Sequence, residues 1–271
     1  MSAALPSPET LRDAACEMAR EAGAIVREGW GRIHAPERKG AIDLVTEYDR
    51  RSEACLLARI AERFPGHAVL AEESGASEGG GAARWIVDPL DGTTNFAHNY
   101  PFFAVSVGVE AGGRVVAGAV YDPVRDEMFA AALGAGASLN GVPIRVSGIA
   151  GVGDALLVTG FPYDVRERPR RYLDPFEAFL VRAQGIRRDG SAALNLCYLA
   201  CGRFDGFWEL SLSPWDMAAG ALIVREAGGV ITRFDGAEFR LDGREILATN
   251  GRIHEEMKGI LREVASGSPR I

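Results

Sequence analysis

The residues Trp85-Ile86-Val87-Asp88-Pro89-Leu90-Asp91-Gly92-Thr93-Thr94-Asn95-Phe96 hold the chain's most specific chemistry. An apolar pair, Ile86 and Val87, leads into two carboxylates spaced i, i+3, and a Gly-Thr-Thr turn follows at once. This pattern predicts a buried strand that ends by delivering Asp88 and Asp91 to one point. The backbone amides after Gly92 are then free to face an anion. Two hard carboxylates beside such a turn are what a Mg²⁺-dependent enzyme acting on a phosphate needs. Mg²⁺ takes oxygen ligands and is usually held by one or two carboxylates plus substrate phosphate.

Two further acids stand at the ends of apolar elements. Glu72 follows the short strand predicted over 69–71, and Asp216 falls in the first turn of a helix predicted over 215–227. Each has a plain structural reading. A Glu at a strand end is commonly a solvated loop residue, and an Asp in a first turn interacts favourably with the helix dipole. Counted together, Glu72, Asp88, Asp91 and Asp216 form a set that a fold can converge. Thr93 and Thr94 read as a helix N-cap, which is compatible with anion binding. A threonine hydroxyl there could also orient an attacking water if a carboxylate accepted its proton. Asp43 and Asp49 are the candidates, although Asp49 reads equally as the N-cap of a helix over 49–64.

Other chemistries lack their residues. His34, His67, His98 and His254 form no cluster and no HxxH or HExxH pattern, so a zinc site is not expected. There is no Gly-x-Ser-x-Gly elbow and no Walker A lysine. Cys16, Cys55, Cys197 and Cys201 match no zinc spacing and read as reduced, mostly buried thiols in a cytoplasmic protein.

The elements that must position these residues are legible from periodicity. Pro8 opens a helix over 8–29, with Leu11, Ala14, Ala15, Met18, Ala22, Ile25 and Val26 as its apolar stripe. Residues 31–42 are polar and read as a loop. The 49–64 helix ends at Pro65-Gly66. Residues 75–81 read as a Gly/Ser loop with no packing capacity. Strands are predicted over 102–109, 114–121 and 127–132, with Gly112-Gly113 as a hairpin turn and Leu139-Asn140-Gly141-Val142 as another. Beyond about 145 the pattern alternates. Strands are expected over 155–159, 206–209, 230–232 and 246–249, and helices over 172–183 and 192–201. The 215–227 helix has Ser213 as N-cap, Pro214 at its first position and Gly228-Gly229 as its stop. The expected division is an N-terminal half, 1–145, with most metal ligands, and a C-terminal half, 146–271, with substrate contacts and the last ligand.

With 271 residues, 47% hydrophobic and 25% charged, the chain has an ordinary globular composition. Its net charge is −7 and no Lys/Arg-rich run appears, so direct nucleic-acid binding is not indicated. An acidic protein that handles an anion must neutralise its site locally, as bound metal would. No stretch reaches the roughly 18 apolar residues of a membrane span, and Met1 to Glu9 has no secretory pattern.

These blocks together resemble the inositol monophosphatase family of Mg²⁺-dependent, lithium-sensitive sugar phosphatases, from about residue 10 to 262. Asp88-Pro89-Leu90-Asp91-Gly92-Thr93-Thr94 resembles one family signature. Trp215-Asp216-Met217-Ala218-Ala219-Gly220, running on to Glu226-Ala227-Gly228-Gly229, resembles another. Asp43-Leu44-Val45-Thr46 with Asp49, and Glu72-Glu73-Ser74, match the supporting blocks. The resemblance implies an α/β (α+β) fold, a layered α-β-α-β-α sandwich, and a homodimer. It implies that Glu72, Asp88 and the Leu90 carbonyl hold a first metal, that Asp88, Asp91 and Asp216 hold a second, and that a third, weaker one sits near Glu72. It implies that Thr93, bonded to Asp49, orients the nucleophilic water, and that the Gly92 and Thr93 amides bind phosphate. In the block Gly190-Ser191-Ala192-Ala193, and at Glu209, it implies contacts to the alcohol from Asp91, Glu209 and the Ala192 backbone. Ala71 stands where glycine is common, and Asp189 is a less familiar neighbour of Gly190. The implied reaction is hydrolysis of a phosphate monoester of a small polyol, foremost inositol 1-phosphate. The alternatives are histidinol phosphate, fructose 1,6-bisphosphate and 3′(2′),5′-bisphosphate nucleotides, or a regulatory protein-binding role in RNA metabolism.

Overall fold

The computed structural model describes residues 5–32, 36–38 and 44–267. Asp43 therefore lies outside the described residues. The chain begins with α1 (Pro8–Gly29), whose cap is Ser7, a side chain that accepts the Thr10 N–H. A two-stranded pair, β1 (Glu37–Arg38) and β2 (Leu44–Val45), precedes α2 (Glu47–Arg63). Then come β3 (Ala68–Ala71), β4 (Gly75–Ser77), β5 (Ala83–Asp91), the short α3 (Thr93–Ala97), β6 (Ala104–Ala111), β7 (Arg114–Asp122), β8 (Glu127–Ala132), β9 (Gly136–Leu139) and β10 (Val142–Pro143). The C-terminal part runs β11 (Leu156–Thr159), α4 (Pro169–Leu180), β12 (Gly185–Arg187), α5 (Ala192–Ala200), β13 (Gly206–Leu210), α6 (Pro214–Glu226), β14 (Val230–Thr232), β15 (Glu245–Thr249) and α7 (His254–Ala265).

Eight strands form one sheet in the order β10-β9-β8-β7-β6-β5-β3-β4, antiparallel throughout except for the parallel β3–β5 pair. Five form a second, β12-β11-β13-β15-β14, with β12, β11 and β13 mutually parallel. Helices α1 and α2 cover one face of the large sheet. Helices α5 and α6 fill the space between the sheets, and α4 and α7 close the far face of the small one. The expected α-β-α-β-α sandwich is the observed architecture. Each layer follows from patterning. The α1 stripe of Leu11, Ala14, Ala15, Met18, Ala22 and Val26 is fully buried, whereas α5 and α6, hydrophobic on nearly all sides, must lie between two sheets.

Four local readings change. Residues 75–77 are not an unpacked loop: β4 pairs antiparallel with β3, from Val69 opposite Ser77 to Ala71 opposite Gly75. A three-residue edge strand has too short an alternation to register in sequence. Helix α2 starts before Asp49. Thr46 is the N-cap, and Asp49 is the third residue of a capping box whose carboxylate accepts the Thr46 N–H at 2.7 Å. Residues 37–38, in the segment read as a loop, form β1, paired antiparallel with β2; the strand predicted to deliver both aspartates does run to Asp91, with its pairing to β6 interrupted between Asp88 and Asp91. Finally, Gly92 rather than a threonine caps α3, using a left-handed φ of 97°. Strand β12 and helix α7 were not anticipated.

Candidate active site

Two strand ends and two helix starts meet at a single cavity of about 920 Å³. Strand β3 delivers Glu72, β5 delivers Asp88, Leu90 and Asp91, α3 contributes Gly92 and Thr93, and the first turn of α6 delivers Asp216. Ala192 and Glu209 line the same cavity from the α5 and β13 side. Of the residues singled out in sequence, Asp49 lies one layer behind, fully buried and joined to the cavity through Thr93.

The pairing break in β5 is what brings both aspartates to one side. Pro89 has no N–H for the ladder, and the Asp88 carboxylate bends back to accept the Leu90 N–H at 3.0 Å. The Thr93 hydroxyl lies 2.8 Å from Asp49 Oδ1 and 3.0 Å from the Leu90 carbonyl oxygen. Asp49 Oδ2 is held by the Thr46 N–H at 2.7 Å and the Thr46 hydroxyl at 2.6 Å. The carboxylate behind Thr93 is thus fixed on both oxygens. Asp91 reaches across to the C-terminal part, accepting from the Ser191 hydroxyl at 2.6 Å and the Ala193 N–H at 2.7 Å. Asn95 makes a parallel link, donating to the carbonyls of Phe102 and Asp189, both at 2.7 Å. Asp216 accepts the Ser213 N–H at 2.7 Å. Its helix-capping role is real and leaves the second oxygen for the cavity.

The electrostatics are unfavourable for a site without a cation. Burial raises the Asp88 carboxyl well above the usual range, and repulsion from Glu72, Asp91 and Asp216 adds to it. Asp216 is raised likewise by burial and then by Asp91. Burial holds Asp91 at about 6 against the opposing bonds from Ser191 and Ala193. Glu209, only 8% exposed, is pushed up to about 8 by burial, with Arg188 pulling the other way. Gly160 makes room for it, since a Cβ at 160 would lie 2.1 Å from the Glu209 carboxylate.

Among the described residues no three His, Cys, Asp or Glu side chains are already drawn into a closed coordination group. The donor set nevertheless fits a hard divalent cation. It is all oxygen, it shares one cavity, and its mutual repulsion is what a bound cation would relieve.

Two kinds of residue escaped the sequence reading. Glu53, buried on α2 one turn after Asp49, accepts the N–H groups of Glu73 at 2.8 Å and Ser74 at 2.9 Å, and so anchors the segment that carries Glu72. Its i, i+4 spacing from Asp49, on the face that also carries Leu56 and Ile60, was the available signal. Four arginines on the cavity wall, Arg168, Arg171, Arg188 and Arg244, carried no local signal at all.

Comparison with known proteins gives a consistent answer. The signature of the inositol monophosphatase family matches residues 7–266. An inositol-1-monophosphatase of Synechocystis is 48% identical over 257 residues, covering 93% of this chain and 89% of that protein. The Nus factor SuhB of Pseudomonas aeruginosa is 43% identical, covering 89% and 92%. The structure of an inositol monophosphatase from Anabaena superposes with a TM-score of 0.86 at 43% identity, covering 94% of this chain and 96% of that one.

Proposed function

Because this chain belongs to the inositol monophosphatase family, a metal-dependent family of phosphatases, we propose that it hydrolyses a phosphate monoester of a small polyol, foremost inositol 1-phosphate, with Mg²⁺. One observation carries the reading: Glu72, Asp88, Asp91 and Asp216 share a cavity with the Thr93–Asp49 pair. In this proposal Glu72, Asp88 and the Leu90 carbonyl hold one ion, Asp88, Asp91 and Asp216 a second, and a third, weaker ion sits near Glu72. Bound Mg²⁺ supplies an acidified water and neutralises charge on the phosphate oxygens. Thr93 donates its proton to Asp49 and so presents its oxygen lone pairs to the attacking water. The Gly92 and Thr93 amides, in the unpartnered first turn of α3, receive the phosphate oxygens. Asp91, Glu209 and the Ala192 backbone face the alcohol. A carboxyl held near 8, as Glu209 is, can both donate to and accept from polyol hydroxyls.

Residues 1–145 then supply most metal ligands, and 146–271 the substrate contacts and Asp216. Lithium inhibition, a homodimer and a cytoplasmic setting belong to the same proposal. No helix of the described residues is long and apolar enough to cross a membrane.

The test is phosphate release from inositol 1-phosphate, histidinol phosphate, fructose 1,6-bisphosphate and adenosine 3′,5′-bisphosphate, with Mg²⁺ and with added Li⁺. Mg²⁺-dependent, Li⁺-inhibited release from inositol 1-phosphate is the expected result, and Asp88→Asn should abolish it while the protein stays folded. Full activity of that variant at saturating Mg²⁺ would refute the metal assignment. A second reading rests on the 43% identity to a protein named as a Nus factor: a regulatory, protein-binding role in RNA metabolism. The Asp88→Asn protein tests it, since a regulatory role would survive the loss of turnover.

A further inference from the structure

Three polar residues of α2, Asp49, Ser52 and Glu53, are buried at positions i, i+3 and i+4, which places them on one face of the helix. None of them lines the cavity. Each instead holds a group from a different segment that does. Asp49 accepts the Thr93 hydroxyl at 2.8 Å. Ser52 donates its hydroxyl to the Pro89 carbonyl at 2.8 Å. The Glu53 carboxylate accepts the Glu73 N–H on one oxygen at 2.8 Å and the Ser74 N–H on the other at 2.9 Å.

The contacts of Ser52 and Glu53 fall where the sheet lets go of its strands. Pro89 stands between Asp88 and Leu90, past the last β5 residue paired with β3, Val87, and inside the break in pairing with β6. Neither ladder pairs it, and Ser52 does. Glu73 and Ser74 follow Glu72 in the turn between β3 and β4, whose pairing closes at Ala71 opposite Gly75. That turn is tied down by Glu53. The helix itself is seated firmly, with Leu56 and Ile60 in the same apolar core as Trp85 and Val87 of β5. Adjacent residues of one packed helix therefore fix the segment of Glu72 relative to the segment of Asp88 and the Leu90 carbonyl. Ser52 and Glu53 are 0% and 4% exposed, so water does not compete for these bonds. Those to Glu53 are charge-assisted and stronger than neutral ones.

We propose that Ser52 and Glu53 are positioning residues that preset the spacing of Glu72, Asp88 and the Leu90 carbonyl for Mg²⁺ and against Ca²⁺. The proposal rests on the reading of those three groups as the ligands of a first ion. Mg²⁺ demands near-octahedral oxygen donors at about 2.0–2.1 Å, whereas Ca²⁺ takes donors at about 2.3–2.6 Å in looser shells. A ligand set anchored at two buried points on one helix resists the spreading that the larger ion requires. Without the anchors the Glu72 turn and the Pro89 segment are free to separate, and the smaller ion loses more.

The test titrates the metal-free full-length protein with Mg²⁺ and with Ca²⁺ by calorimetry, and compares the wild type with Ser52→Ala and Glu53→Gln. The first ion is identified as the binding step that Glu72→Gln abolishes. In Glu53→Gln the Mg²⁺ Kd should rise roughly tenfold or more, with a smaller rise for Ca²⁺. Ser52→Ala changes no charge and little volume, and should shift the ratio of the two Kd values in the same direction by about threefold. The ratio isolates the geometry, because lost folded protein or lost negative charge weakens both ions alike. A second readout needs no metal: hydrogen exchange at the Glu73 and Ser74 amides should be faster in Glu53→Gln than in the wild type. If Glu53→Gln does not fold, Ser52→Ala decides by itself. A ratio unchanged in the folded variants overturns the positioning role while leaving the metal site standing. A wild type that binds no Mg²⁺ overturns the metal reading, and this inference falls with it.

Discussion

A hydroxyl that donates to a buried carboxylate keeps its lone pairs for a third group. That is the situation of Thr93, whose proton lies between Asp49 at 2.8 Å and the Leu90 carbonyl at 3.0 Å. Burial raises the Asp49 carboxyl, and the bonds from Thr46 and Thr93 pull it back, so losing one partner leaves a desolvated acid less well satisfied. Thr93→Val keeps the side-chain shape and removes the hydroxyl. Its kcat should drop by about 10²-fold or more with KM little changed, as for a lost proton-transfer partner. Steady-state kinetics at saturating Mg²⁺ checks this, and an unaltered kcat would take Thr93 out of the reaction. At the same scale, Gly160 and Glu209 form a size-matched pair in which the missing Cβ is what lets a carboxylate stand in the cavity wall.

Among the elements, α6 is the one whose seat matters most. It lies on β6 and β7 where two glycines lower the sheet surface. A Cβ at Gly108 would sit 2.8 Å from the Ala218 Cβ, and one at Gly118 would sit 2.8 Å from the Ala219 Cα. The helix therefore approaches the sheet at backbone distance, and its first turn carries Asp216 to the same level as Asp88. Gly118→Val should cost about 1–3 kcal/mol as overpacking. Because the displaced helix carries Asp216, the Mg²⁺ concentration for half-maximal activity should rise as well. Urea unfolding and a Mg²⁺ titration measure the two effects. A destabilised variant with an unchanged Mg²⁺ requirement would show that α6 does not set the position of Asp216.

For the molecule as a whole, the site is a seam. Asp91 joins the large sheet to the start of α5 through Ser191 and Ala193, and Asn95 holds the Asp189 carbonyl. The same seam concentrates buried carboxyls, and this sets a pH dependence. In the folded chain without metal, Asp88 and Asp216 are raised well above their usual values, Asp91 stands at about 6 and Glu209 at about 8. The unfolded chain releases these protons near pH 4. The folded state therefore binds more protons than the unfolded one between about 4 and 8, so stability falls as pH rises through that range. His67 and His254, lowered by burial, act in the opposite sense only below about 6.5. The metal-free protein should thus melt at a lower temperature at pH 8.5 than at pH 6.5. Added Mg²⁺ should raise Tm more at the higher pH, where fewer protons compete for the ligands. A Mg²⁺ increment independent of pH would show that these carboxyls do not share an ion.

The types of the main elements and the chemical type of the candidate residues were already determined by the sequence, and the layered arrangement was implied by its resemblance to a family. The period-3.6 stripe of α1 and the apolar runs of β6, β7 and β8, bounded by turn residues, are local signals. The Asp-Pro-Leu-Asp-Gly-Thr-Thr run also carries its own turn chemistry, with Pro89 breaking the ladder and Gly92 supplying the left-handed cap. Tertiary structure alone decided which apolar face meets which, because periodicity tells a face from its opposite and not from its partner. That choice brings Glu72, Asp88, Asp91 and Asp216 together across about 140 residues of chain, a separation no local pattern spans. It also places Glu53 under the Glu72 segment, and it lines one cavity with arginines from three separate segments. A charge on the surface of a helix or loop has no periodic signature, so its neighbours exist only once the chain has folded.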